Sequence, residues 1–241
     1  MVAGHFATAL VAKQQAPAGP LAFYLVISQL PDLLWQLFHF IGIEPTLPLN
    51  PMATSLNNMQ VHMTFSHDLL PTVGWFVVAV LAGRALFGRW RSGWIAGALV
   101  VVHLLCDAVS GHTHHVFGPD STPIGLGLYA SAPYVALGIE AVFTLGVMLW
   151  VMWTDAKNSV RRSRATLAVW AVVFAGGMVM LTLSAKVTVE QMTGLAPIEA
   201  LNGTLVPGLI AMYASMFIAL VWAESRPATR IDEDGTRVTS E

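Results

Sequence analysis

Long stretches without a polar break dominate the hydropathy pattern of this chain. Five apolar runs, 69–87, 93–110, 129–153, 167–186 and 205–223, are each about long enough to cross a bilayer, which takes roughly 20 residues in a helix. They predict five transmembrane helices. A sixth apolar section, 3–43, is interrupted by Pro17, Pro20 and Pro31. It reads as a helical hairpin: one helix over 3–15, a turn at 16–20, and a return helix from Leu21 to Pro31-Asp32. The competing reading is a single span over 22–43 that leaves His5 inside the cell. From Glu224 onward the chain turns polar and charged, which predicts a disordered tail over 224–241. No internal repeat or low-complexity segment is visible. The expected architecture is all-α: one multi-pass transmembrane helical domain over 1–223, with five clear spans and an N-terminal hairpin.

Composition supports this pattern. Of 241 residues, 55% are hydrophobic and 11% charged, against about a quarter charged in soluble domains. Mean hydropathy is +0.64. A net charge of −2 supplies no basic field for nucleic acid. Cys106 is the only cysteine, so an intrachain disulfide is excluded. Ala16-Pro17-Ala18 imitates a signal-cleavage site, but no basic segment precedes it and Lys13 interrupts the apolar stretch, so no cleavable signal is expected.

The basic residues add an orientation. Arg84, Arg89 and Arg91 share one inter-helix segment, Lys157, Arg161, Arg162 and Arg164 another, and Arg226, Arg230 and Arg237 the tail. The alternate segments, 44–68, 111–128 and 187–204, hold no Lys or Arg. By the positive-inside rule the basic segments and the C-terminus are cytoplasmic, and the others face outward. Lys13, beside the 16–20 turn, agrees. The lipid bilayer is the expected partner, and the localisation is a multi-pass protein of the cell membrane.

Chemistry enters with four short motifs: Gly4-His5, Leu30-Pro31-Asp32, His62-x4-His67 and His103-x3-Asp107. In the last, positions i and i+4 share a helix face. Ionisable side chains inside a membrane are costly and point to function by default. Their depths agree. At about 1.5 Å per residue, His5 and Asp32 lie roughly 18 and 19 Å above the hairpin turn, and His103 and Asp107 roughly 16 and 22 Å above the start of their helix. Glu140 comes at roughly 20 Å and His67 slightly higher. His, Asp and Glu together suit Zn²⁺ or a similar divalent ion, which would activate water. The bland alternatives are a hydrogen-bonded pair gluing two helices for His103 and Asp107, a helix cap for Asp32, and ordinary loop residues for His62 and His67. Glu140 suits a supporting role, and His39, among apolar neighbours, a structural one. In the outer segment, His112, His114 and His115 could extend the site or bind a substrate phosphate; a solvated loop is the preferred reading for His112 and His114.

Taken in order, Gly4-His5, Leu30-Pro31-Asp32, His62-x-x-Phe65-Ser66-His67-x-Leu69-Leu70 and His103-Leu104-Leu105-x-Asp107 resemble the YdjM-type membrane-bound metal-dependent hydrolases, a family held to be distantly like zinc-dependent phospholipase C and P1 nuclease. The resemblance covers about residues 3–120. It implies an all-helical hydrolase of the phosphoester-cleaving kind, with His5, Asp32, His62, His67, His103 and Asp107 at the metal positions. The chain departs from the family pattern at Leu34, where a second acid is common, and at Met63, where a basic residue is common. The expected function is a metal-dependent hydrolase with an outward-opening site, acting on a phospholipid or lipid-linked phosphoester through a metal-activated water. Asp32 or Asp107 is the alternative general base. Two rival classes stay open: a transporter or ion relay built on His103, Asp107 and Glu140, and a di-iron oxygenase using His62-x4-His67 and His112-Thr113-His114-His115.

Overall fold

A computed structural model of the chain describes residues 1–226, 228–231 and 237–239. Ten α-helices follow in order among them: α1 Val2–Gln15, α2 Leu21–Ser28, α3 Leu30–Phe40, α4 Leu69–Phe87, α5 Trp90–Ser110, α6 Leu128–Ser131, α7 Pro133–Lys157, α8 Arg164–Leu183, α9 Val189–Thr193 and α10 Leu205–Glu224. The fold is all-α, and the strands are fragments of two or three residues. α4, α5, α7, α8 and α10 are long and apolar enough to span a membrane, within a few residues of the five expected runs. The third run divides: a short α6 ends at Ala132, and Pro133, suited to a first helical turn, restarts the chain as α7.

The N-terminal hairpin forms as the prolines suggested. α1 stops at Ala16, whose carbonyl oxygen accepts from the Tyr24 hydroxyl at 2.8 Å, and α2 returns from Pro20. The return helix then bends by 62° at Gln29 and continues as α3 to Phe40, further than the sequence reading carried it. The bend puts Pro31 and Asp32 in a fresh first turn, where Pro's missing N–H costs nothing. α1 is buried along most of its length, Ala3, Ala7, Ala9 and Ala12 among its buried residues, and it packs on α2, α5, α7 and α8. Small side chains let neighbouring helices close around it.

α4 and α5 form the closest pair. Gly88, left-handed at φ 66°, turns one into the other, and a Cβ at Gly93 would fall 2.5 Å from the Val80 carbonyl oxygen. Half of the apolar window of α5 is buried, against 22–28% for the other spans, so α5 is the central helix.

The two ends of the bundle differ. At one end Gln14 donates to Asp155 at 2.8 Å, Arg162 donates to Asp155 at 2.5 Å and to Glu224 at 2.6 Å, and Arg91 reaches Gln15 at 3.4 Å. The basic connections between helices therefore gather at one end. Burial lowers and the two carboxylates raise the affinity of the Arg162 guanidinium for its proton, with a net rise. Here Val160–Arg161 pairs with Thr229–Ile231, which pairs with Arg237–Thr239; the remaining positions of the expected disordered tail beyond Arg226, 227, 232–236 and 240–241, lie outside the described residues. At the opposite end two small hairpins, Thr46–Leu47 with Gln60–Val61 and His114–His115 with Pro123–Ile124, close over the bundle.

Candidate metal centre

Four of the six expected ligands meet at that second end. One atom each from Asp32, His67, His103 and Asp107 lies within 4.8 Å of all the others, and all four residues are buried. His67 Nε2 is 3.4 Å from His103 Nε2, 3.3 Å from Asp32 Oδ1 and 3.8 Å from Asp107 Oδ2. His103 Nε2 is 3.2 Å from Asp107 Oδ2 and 3.9 Å from Asp32 Oδ1. Four ligands held tetrahedrally at zinc's bond lengths of about 2.0–2.1 Å stand roughly 3.3 Å apart. Three of these spacings, 3.2–3.4 Å, match that value and two, 3.8 and 3.9 Å, exceed it, so the donors suit a single ion in type and surround a position that small shifts would close on one.

The outward atom of each side chain is occupied. His103 Nδ1 donates to the Ser28 carbonyl oxygen at 2.8 Å, and His67 Nδ1 pairs with Ser66 Oγ at 2.8 Å. Asp32 Oδ2 accepts from the Tyr213 hydroxyl at 2.9 Å. Asp107 Oδ1 pairs with His5 Nε2 at 3.1 Å and accepts from the Met1 α-ammonium. With these atoms engaged, Nε2 of both histidines and one oxygen of each aspartate are left facing one point. Partners of this kind orient metal-binding imidazoles and raise their basicity.

Local structure explains the convergence. The i, i+4 spacing on α5 puts His103 and Asp107 on one face, as expected. The 62° bend swings Asp32 inward at the start of α3. His67 precedes α4 on a loop held by Glu44, whose buried carboxylate accepts from the Phe65 and Ser66 N–H groups at 2.6 and 3.0 Å. His5 comes from α1, its ring stacked on His103 at 3.7 Å, beside the four-residue group. His62 does not join them: it is exposed, and its N–H donates to the Pro45 carbonyl oxygen at 3.2 Å. Four residues of loop separate it from His67 without turning it inward. Glu140 is fully buried but accepts from the Ala3 N–H at 2.7 Å and the Tyr129 hydroxyl at 2.9 Å, so it fixes the start of α1. Burial, with Glu140 adding to it, holds the Tyr129 hydroxyl well above its ordinary pKa. His39 packs edge-on against Phe40, away from the group.

The expectation of a solvated loop fails for His114. Its ring is 2% exposed and stacks on His67 at 5.2 Å and 8°. Burial pushes its pKa down to about 3. Asp68 holds this hairpin in place, accepting from the His115 N–H at 2.8 Å and the Gly118 N–H at 2.6 Å. Sequence reasoning missed Asp68, Ser66, Ser28, Glu44 and Tyr213. Asp68 carries a signal of its own, since an acid immediately before an apolar run suggests a helix cap, but its carboxylate goes to the neighbouring loop. A cavity of about 80 Å³ opens onto the centre, lined by Asp32, His67, Asp107, His112, His114 and Tyr213 among others.

Comparison with family models, with curated proteins and with solved structures returned no match.

Proposed function

We propose that this chain is a membrane-embedded, metal-dependent hydrolase acting on a phosphoester or lipid-linked substrate. The observation that carries the reading is the four-residue group in which Asp32, His67, His103 and Asp107 each turn a donor atom to one point while a second partner engages the other atom. Two nitrogens and two oxygens suit zinc, and a set spread over as much as 4.8 Å leaves room for a water as a fifth ligand. An ion held there would act as a Lewis acid and lower the pKa of that water toward neutrality. Asp32, His67, His103 and Asp107 would hold it. His5, stacked on His103 and bonded to Asp107, would keep both aligned. With Leu34 in place of a second acid, these four suffice for one ion.

The ordered motifs that resemble YdjM-type hydrolases favour the hydrolytic reading over an ion relay. The cavity beside the centre favours it too, since Asp32, His67 and Asp107 all line it and are reachable by a small molecule. The gathering of basic connections at the far end of the bundle supports an orientation with that end cytoplasmic and the site toward the outer leaflet.

Metal content of the purified protein tests the reading. Stoichiometric zinc in the wild type, lost in His103→Ala, is the expected result. Two irons per chain would favour an oxygenase instead, and a metal-free wild type after zinc incubation would overturn the proposal.

A further inference from the structure

His114 is spent on nothing the metal centre requires. Its ring is buried, yet neither Nδ1 nor Nε2 has a partner. Buried polar atoms are almost always paired, so a pair of orphans on one ring calls for an explanation. The ring stacks parallel to His67, one ring layer beyond the donor atoms that face the ion position, and stands outside the four-residue group. It also lines the cavity that opens on Asp32, His67 and Asp107. Asp68 anchors the hairpin that carries it, so this placement is built.

Much of the remaining lining of the cavity is apolar. Trp35, Met59, Met63, Leu181, Leu209 and Met212 supply it, from α3, the loop before α4, α8 and α10. About 80 Å³ corresponds to a few water volumes at roughly 30 Å³ each, enough for a small polar head and the first atoms of a chain. A zinc ion takes anionic oxygen as a ligand, and an imidazole N–H donates best to an anionic oxygen. Flexible methionines accommodate an irregular apolar chain.

We propose that His114 hydrogen-bonds the head group of the bound molecule and is not an ion ligand, and that this molecule is an amphiphile with an anionic-oxygen head and one apolar chain. This rests on the metal-centre reading above and names the substrate class for the same site.

The test uses full-length protein in nanodiscs, loaded with zinc, with calorimetric titration of hexyl phosphate, hexanoate and inorganic phosphate. Wild type is expected to bind hexyl phosphate about tenfold more tightly than inorganic phosphate, because burial of the first two or so methylenes adds to the same head contact. His114→Ala should keep its zinc and lose about tenfold or more in affinity for hexyl phosphate, with His114→Gln in between, since an amide retains one donor. Met63→Gln should weaken hexyl phosphate and leave inorganic phosphate unchanged, a readout that holds even where His114→Ala folds poorly. Unchanged hexyl phosphate binding by His114→Ala would overturn the assignment, as would loss of zinc comparable to that of Asp107→Ala, which would make His114 a ligand. Equal affinity for inorganic and hexyl phosphate would overturn the amphiphile. Stronger binding of hexanoate than hexyl phosphate would support the class with a carboxylate head. A wild type that takes up no zinc would fail the metal reading itself and this inference with it.

Discussion

His103 donates through Nδ1 to the carbonyl oxygen of Ser28, and that bond determines what its other nitrogen can do. A neutral imidazole with its proton committed on one side offers a lone pair on the other. Ser66 Oγ pairs with His67 Nδ1 and the Tyr213 hydroxyl donates to Asp32, so each fixes the orientation of the side chain it touches. Ser66→Ala and Tyr213→Phe should therefore weaken zinc binding by about 10–100-fold without removing a ligand, as loss of such partners typically does. Competition with a chromophoric chelator measures this. His103→Ala and Asp107→Ala should abolish stoichiometric binding, Glu140→Gln should cost less than either, and His39→Ala should cost nothing. Equal zinc content in the His103 and His39 variants would remove the centre from this position. The sequence exposed the candidate ligands more readily than their partners for a physical reason. A charged or imidazole side chain within an apolar run is anomalous and draws notice, whereas Ser28 contributes only a backbone carbonyl and Ser66 a hydroxyl, both unremarkable in any sequence. His62 misled because spacing in a loop fixes no direction, unlike the four-residue spacing of His103 and Asp107 on a helix.

Among the elements, the α4–α5 pair and the His114 hairpin make separable contributions. Gly93 lies so close to Val80 that any larger side chain must push the two helices apart. Gly93→Val is expected to destabilise the protein by about 1–3 kcal/mol, in the range for overpacked contacts. It should lower the thermal midpoint while zinc stays bound at low temperature, because the His103–Asp107 face lies further along α5. A variant with an unchanged midpoint would show that the helices can part freely. Asp68→Ala acts on the other element. It leaves the His115 and Gly118 N–H groups without their acceptor, so amide exchange over 114–118 should rise well above that of α4, with little change in the spans. Exchange confined to α4 would contradict the anchoring role. The spans were legible from hydropathy because each must match the bilayer's thickness. The two small hairpins over the site were not, since each is only two residues wide and is fixed by tertiary contacts.

At the scale of the whole molecule, the polar ends are unlike. One end is tied by Asp155, Arg162 and Glu224, and the other encloses the candidate centre. With Cys106 replaced by alanine, a cysteine at Ser121 should react with an impermeant reagent from outside, and one at Ser159 should not. The reverse result would invert the orientation. Burial of four ionisable side chains among apolar helices is costly without a compensating charge. Chelation should therefore lower the unfolding temperature of the entire bundle, and re-addition of zinc should restore it. The position of α1 carries a consequence for biogenesis. Its 14 residues extend about 21 Å, short of the roughly 30 Å hydrocarbon core, and it packs on α7 and α8, which the ribosome makes much later. α2 and α5 give α1 a partial seat, which only α7 and α8 complete. A nascent chain arrested after α5 should then leave its amino-terminal hairpin more open to protease than one arrested after α10, so that a segment translated early is among the last to settle fully.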